Sequence, residues 1–561
     1  MLSRPKLRTP SSASFTTFNS AANAFNTPQN ARPMTARMRR FLSNIPLTVS
    51  IFFAVLLIVQ YSADLFEEPI PTGPPWRGPP FLLPNDVAKL LGPYSPWYPA
   101  DYYTAPPAGC NTTQFIRHGA RFPTKGGNDR IKEALSHIKP PPRGYQSPLG
   151  FMRKYKYDLK TDDLLWFGAN EAYAAGVAAY NRYSHLAHTA LPFSRTGNAS
   201  RLINTAKHWK EGFELASRMR IPKALLISEE PGMNNTLKDS QCPAHSDQPA
   251  EDAQATWLSI FAPNITERLN SYAPGSELVD SDIPSLMSLC SFESLFHYKT
   301  SQWCSMFNQS EWQAYEYYTD LEKFYNTGPG NPLGRPQGIG WINEMIARLT
   351  VSPVNDTTQT NHTLDSNPAT FPIENMTMWA DFTHDNELNA VLAAMGVLRM
   401  AKAEHDYEDP IEEEEEEIVL YEQDSPQRLL SDEELEEEDE EDWVIVPKVR
   451  NTRKEHKIYK EMDPADPDPD RKWVASRLVP FAARLVVEKL SCPSPTSHQA
   501  PSTSPATVEA VRLLLNDAIL HIPGCREDLG NGVCTLEEFL ETQSYARNGG
   551  MGEWEECQKT D

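Results

Sequence analysis

An α/β fold, a sheet carrying an inserted helical domain, is what this 561-residue sequence predicts, and three observations predict it. β-type runs lie towards both ends of the chain body: "QFI" at 114–116, "MTMWADF" at 376–382 and "VRLLLNDAILHI" from 511. Helical periodicity follows them, in "GANEAYAAGVAAYNRYSHLA" from Gly168 and "SRLINTAKHWKEGFELASRM" from Ser200. Residues 210–360 read as helix-like segments with little strand, so the helical domain is inserted there.

Taken in order, residues 1–40 are rich in Ser, Thr, Asn, Pro and Arg without apolar periodicity, and read as a disordered cytosolic tail. Residues 41–63, "FLSNIPLTVSIFFAVLLIVQYSA", carry no charge and are long enough to span a bilayer. Arg37, Arg39 and Arg40 precede them, and Asp64, Glu67 and Glu68 come after. That asymmetry predicts a single-pass type II signal-anchor with the body lumenal or extracellular; the alternative is secretion after signal cleavage. Residues 64–100, with "EEPIPTGPPWRGPP", read as a Pro-stiffened stalk, and 101–561 as the folded body. In the body, "NELNAVLAAMGVLRMAKA" from Asn386 reads as a helix, and 404–470 as a disordered acidic insertion. A Pro/Ser/Thr cluster interrupts 491–507. Asn516-Asp517, between two β runs, signals a hairpin.

Charge is concentrated rather than spread. The chain carries a formal −23, but 404–442 holds 22 acidic residues against Arg428 alone, −21, which leaves −2 for the rest. No concentrated Lys/Arg face marks the body, which argues against nucleic acid as a partner. Eight sequons, Asn111, Asn198, Asn234, Asn264, Asn308, Asn355, Asn361 and Asn375, all lie after the apolar segment. So do all eight cysteines, an even number suited to disulfides in an oxidising compartment. No CxxC or HxxxH pairing supports a metal site.

The octet "RHGARFPT", 117–124, places Arg117 and Arg121 around His118. Guanidinium groups hold tetrahedral oxyanions through paired donors and stay charged at any relevant pH. An imidazole between two of them is a nucleophile inside an anion site, and attack on phosphorus would pass through a phosphohistidine. The departing alkoxide needs a proton. "WADFTHDNEL" offers His384 and Asp385 between a strand and a helix, where Asp385 can act as the acid. In "FSRTGNASRLINTA", Arg201 is better placed than Arg195 to reach inward. Read alone, each segment has an ordinary structural explanation: a buried histidine, a helix cap, a surface arginine. Together each supplies what the others lack.

With these residues in view the chain resembles the histidine acid phosphatase family, in its fungal phytase-like branch. "RHGARFPT" matches the family's RHGxRxP signature and "ADFTHDN" its HD signature, and similarity runs from "GPYSPWYP" at 92 to the C-terminus, the acidic insertion excepted. The resemblance implies a phosphoglycerate-mutase-like sheet flanked by helices with a smaller helical domain, and hydrolysis of phosphate monoesters, phytate among them, without a cofactor. It implies His118 as nucleophile and Asp385 as proton donor, with Arg117, Arg121, Arg201 and His384 on the phosphate. It also implies the disulfides Cys110 with Cys492, Cys242 with Cys557, Cys290 with Cys304, and Cys525 with Cys534, which spacing alone does not select from 105 pairings. Lys125, Arg153, Lys154 and Lys156 are candidates to line a phytate pocket, with solvated surface as their alternative. The segment "CNTTQFIRHG" is shorter between cysteine and arginine than the family pattern, which motivates a second reading: an inactive relative serving as a surface anion-binding or cell-wall glycoprotein.

Overall fold

The computed structural model describes residues 82–108, 110–112, 122–239, 241–398, 460–493, 507–526 and 529–559. The tail, the apolar segment, the Arg117–Arg121 stretch and most of the acidic insertion lie outside the described residues. Those described form an α/β arrangement, with strands β1 (Asn111–Thr112), β2 (Phe193–Gly197), β3 (Leu225–Ile227), β4 (Trp379–Phe382), β5 (Leu485–Pro493), β6 (Thr507–Leu515), β7 (Ala518–Leu520) and β8 (Cys534–Thr535).

Among the described residues these strands make two sheets. One is antiparallel, in the order β1-β5-β6-β7, with β8 also on β6; the other is parallel, in the order β3-β2-β4. The β6–β7 hairpin turns at Asn516 and Asp517, both at positive φ (50° and 70°), the conformation in which Asn and Asp are tolerated. β5 runs to Pro493 and β6 starts at Thr507, so the ends of the Pro/Ser/Thr cluster are strand rather than interruption. Pairing is sustained there because Cys492 is buried and bonded to Cys110.

Helices flank the parallel sheet. The Ala-rich pattern from Gly168 becomes α2 (Trp166–Ala187) and the pattern from Ser200 becomes α3 (Ser200–Ser217); α1 (Lys125–His137) precedes them, capped by Thr124, whose hydroxyl accepts from the Gly127 N–H at 3.2 Å. Beyond β3 come α4 (Gln248–Phe261), α5 (Pro263–Tyr272), α6 (Asp282–His297), α7 (Gln309–Tyr325) and α8 (Ile339–Thr350). α7 begins with a capping box between Asn308 and Glu311. Among the described residues of 210–360 the regular elements are therefore helices except for β3, a strand too short for periodicity to reveal. α9 (Asp385–Ala394) comes after β4 and ends sooner than the sequence pattern, because Gly396 and Leu398 take positive φ.

Two expected boundaries move. Leu82, Leu83, Val87 and Leu91 are buried in the core that holds Leu286 and Trp303, so the Pro-rich stalk cannot extend to 100. At the other end of the acidic insertion, 460–470 packs on the body: Met462 is buried and accepts from the Tyr325 hydroxyl at 2.6 Å through its carbonyl. The four disulfides pair as the resemblance implies. They tie Cys242 to Cys557 across 315 residues, the kind of long loop whose closure restricts the unfolded chain most.

Candidate active site

The three parallel strands end on the same side, and the segments leaving those ends converge. β2 and β4 pair with Arg195 opposite Asp381 and Thr196 opposite Phe382; β2 and β3 pair with Gly197 opposite Ile227. Two residues beyond Phe382 is His384, and two beyond Ile227 is Glu229. Arg201 lies in the first turn of α3, four residues beyond Gly197. Crevices at the carboxyl ends of parallel strands are where α/β proteins bind ligands.

His384 sits between Arg201 and Glu229. Nη2 of Arg201 is 3.1 Å from its Nδ1, and Oε2 of Glu229 is 3.2 Å from its Nε2. A guanidinium can only donate, so Nδ1 accepts and Nε2–H donates to Glu229. His384 and Glu229 are both largely buried, with side-chain exposures of 10% and 11%. Burial alone would push the Glu229 carboxyl up; its bond to His384, the Ala199 N–H and Lys238 outweigh that and hold it below the usual glutamate range.

His384 occupies the N-cap position of α9 by backbone, yet its side chain makes no capping bond, which removes the plain capping explanation for the His-Asp pair. Asp385 opens the helix. Its Oδ2 lies 3.0 Å from Nζ of Lys323 on α7, and Lys323 also meets Glu322 and the Asn386 side chain. Lys323 is buried; burial opposes its charge, but Asp385 and Glu322 more than compensate and raise its pKa. Two residues on, Glu387 has no exposed surface and neither carboxyl oxygen has a hydrogen-bond partner. Desolvation, with Asp239 and Glu344 adding to it, raises its pKa well above the ordinary range.

His384, Asp385 and Glu387 line a cavity of about 680 Å³, its open mouth included, together with Thr383, Trp341 and Phe481. Among the described residues no group of His, Cys, Asp and Glu could hold a metal ion.

Arg195 does something else. Its guanidinium donates to both oxygens of Asp381, 2.9 Å from each, and also forks onto Glu344; Arg348 adds a 2.9 Å bond to Asp381 and the Trp341 indole a 3.0 Å one. Burial would raise the Asp381 pKa, but the two arginines hold it far below the usual carboxylate range. Arg195 is thus a strut under the site, as its interior strand position demands. Arg117, His118 and Arg121 lie outside the described residues. Lys125, Arg153, Lys154 and Lys156 are exposed, and Arg153 donates through Nε to the Tyr145 carbonyl at 2.7 Å. Glu229, Lys323 and Glu387 carry no signal in the sequence pattern. Strand register brings in Glu229 and the packing of α7 against α9 brings in Lys323, while Glu387 follows Asp385 on α9 itself.

The histidine phosphatase superfamily (branch 2) matches the chain over residues 114–418. The sequence is 33% identical over 494 residues to "Phytase A" of Aspergillus oryzae, covering 84% of this chain and 91% of that protein. It is 34% identical over 514 residues to "Phytase A" of Neurospora crassa, covering 84% and 92%. Among solved structures, the phytase from D. castellii superposes with a TM-score of 0.61 at 19% identity, covering 84% of this chain and 88% of that one.

Proposed function

Because the chain belongs to the histidine phosphatase superfamily (branch 2) and is a phosphoric monoester hydrolase, we propose that it releases phosphate from inositol phosphates in acid medium, with His118 as nucleophile and Asp385 as proton donor. The observation that carries this reading is the pairing of Arg201 with His384 next to Asp385, the last two of which line one cavity. Arg117, Arg121, Arg201 and His384 hold the phosphate oxygens. A neutral ring nitrogen of His118 forms the N–P bond as the ester P–O bond breaks, and protonated Asp385 gives its proton to the departing alcohol oxygen. Water then attacks the phosphohistidine; Asp385, now a carboxylate, takes the water proton, and phosphate leaves with the histidine restored. Asp385 has to be protonated for the first step, so acid pH favours turnover. Phytate as the preferred substrate is supported by relatives named phytase at 33% and 34% identity.

Phosphate release from an aryl phosphate and from phytate tests this. His118→Ala should abolish turnover and Asp385→Asn should slow it by about 100-fold or more. Acid-quenched wild type should carry radiolabelled phosphate on His118. Unlabelled enzyme with wild-type rates in both variants would sink the mechanism. The rival reading, an inactive anion-binding glycoprotein, finds no support in a site that keeps both His384 and Asp385.

We place the body in the lumen or outside the cell, reached through 41–63 as an anchor or a cleaved signal. In support, all eight cysteines are in disulfides, and Asn198, Asn234, Asn264, Asn308, Asn355 and Asn375 are exposed, with Asn361 half-buried. Among the described residues no helix is long and apolar enough to cross a membrane. Expression with separate assay of medium and membranes decides between the two routes, and enzyme confined to the cytosol would overturn both.

A further inference from the structure

The Glu229 carboxylate has a seat built for it. It stands two residues past β3, where the register Gly197↔Ile227 sets it over the end of β2. A Cβ on Gly197 would fall 1.9 Å from its Oε1, so this glycine leaves the space that the carboxylate fills. The Ala199 N–H points at the same oxygen (3.4 Å), the Asn198 side chain accepts from the Glu229 N–H (3.2 Å), and Lys238 donates to the Glu229 carbonyl (3.0 Å). Three hydrogen bonds fix backbone and side chain together, and the oxygen left over, Oε2, is the one that meets Nε2 of His384.

That contact decides which nitrogen of His384 carries the proton. With Nε2–H committed to Glu229, Nδ1 faces Arg201, and the ring cannot rotate without losing a bond between two largely buried groups. An imidazole anchored in this way presents one nitrogen in one place. When a phosphate draws the Arg201 guanidinium to itself, Nδ1 is left facing the anion, and once protonated it donates to a phosphate oxygen.

We propose that Glu229, seated against Gly197, is the positioning residue that fixes the ring and tautomer of His384 for phosphate binding. The proposal rests on the reading of His384 as a phosphate ligand and deepens it. It assigns to "TGNAS" and "SEE", two stretches outside both family signatures, a share in the binding of phosphate.

Two variants test it by different routes. Glu229→Gln keeps the shape and removes the anionic acceptor. Gly197→Ala keeps the glutamate and pushes its carboxylate off His384. In the full chain, Ki for inorganic phosphate as a competitive inhibitor and KM for an aryl phosphate should both rise about tenfold in each variant, with a smaller fall in kcat. The ¹⁵N shifts of the His384 ring should report the Nε2–H tautomer in wild type, and its loss in each variant. Phosphate inhibition within twofold of wild type in both variants, or an unaltered ring tautomer, would overturn the proposal. Should wild type itself release no phosphate from the ester, the hydrolase mechanism fails while the ring spectra and phosphate binding still judge Glu229.

Discussion

Strand β4 and the start of α9 carry two acidic centres within five residues of each other, and they are built in opposite ways. Asp381, inside the strand, receives bonds from Arg195, Arg348 and Trp341 and has no exposed surface. Asp385, at the helix start, keeps 27% of its side chain exposed and faces Lys323 at the cavity rim. The first is a buried ion network of Arg195 and Arg348 on Asp381 and Glu344. The second is a carboxyl within reach of a ligand. The strand thus keeps its structural charge buried, and the helix start that follows it keeps the reactive carboxyl partly exposed.

The largest expected effect separates the two. Asp381→Asn leaves two buried arginines with half their counter-charge, which costs about 3–5 kcal/mol. Asp385→Asn should cost about 1 kcal/mol or less, because Lys323 retains Glu322 and Asn386 and the site is partly solvated. Urea unfolding of both variants beside their rates gives a double dissociation: stability lost in the first, turnover in the second. Equal losses of stability would erase the distinction between strut and site.

A pH comparison sharpens it. Asp381 is held far below its ordinary range, so its network contributes fully above the unfolded value of 3.8 and weakens only in stronger acid. Glu387 has the opposite sign. Its pKa in the folded protein lies well above the ordinary value of 4.5, so the unfolded chain gives up that proton first and stability falls as pH rises from there. Glu387→Gln removes this loss. The variant should match wild type near pH 4 and gain on it as the pH is raised to 7. Parallel melts at both pH values check this, and a pH-independent difference would mean that burial does not raise the Glu387 pKa.

How legible these centres are in the sequence depends on how much a local pattern can record. α2, α3 and the hairpin at Asn516-Asp517 announce themselves through periodicity and turn chemistry, and both are properties of neighbouring residues. His384 and Asp385 are legible for a similar reason, since the strand-to-helix junction that aims them is contiguous. Glu229 and Lys323 are not, because their roles depend on β3 lying beside β2 and on α7 packing under α9, separations of 155 and 62 residues from their partners. Prolines hide the burial of Leu82, Leu83, Val87 and Leu91 by making their surroundings look like stalk. Arg195 and Arg201, six apart in one segment, differ only in strand interior against helix start. That difference in burial makes one a strut and the other a partner of His384.

The same distinction sets the smallest effect. Arg153 reads in the sequence as lining for a polyanionic substrate, but Nε and Nη2 of its guanidinium both donate to the Tyr145 carbonyl. Two donors spent on a backbone oxygen orient the fork along the chain, leaving a charge that is solvent-exposed and screened over about 8 Å at physiological salt. Arg153→Gln keeps a donor for that carbonyl and drops the charge. It should change stability by about 1 kcal/mol or less and move KM for phytate by about twofold or less, against the roughly tenfold rise expected for Glu229→Gln. Titrating KM for phytate at low and moderate salt checks this. A strongly salt-dependent loss in Arg153→Gln would show that the exposed basic surface steers substrate, and would extend the binding region beyond the strand ends.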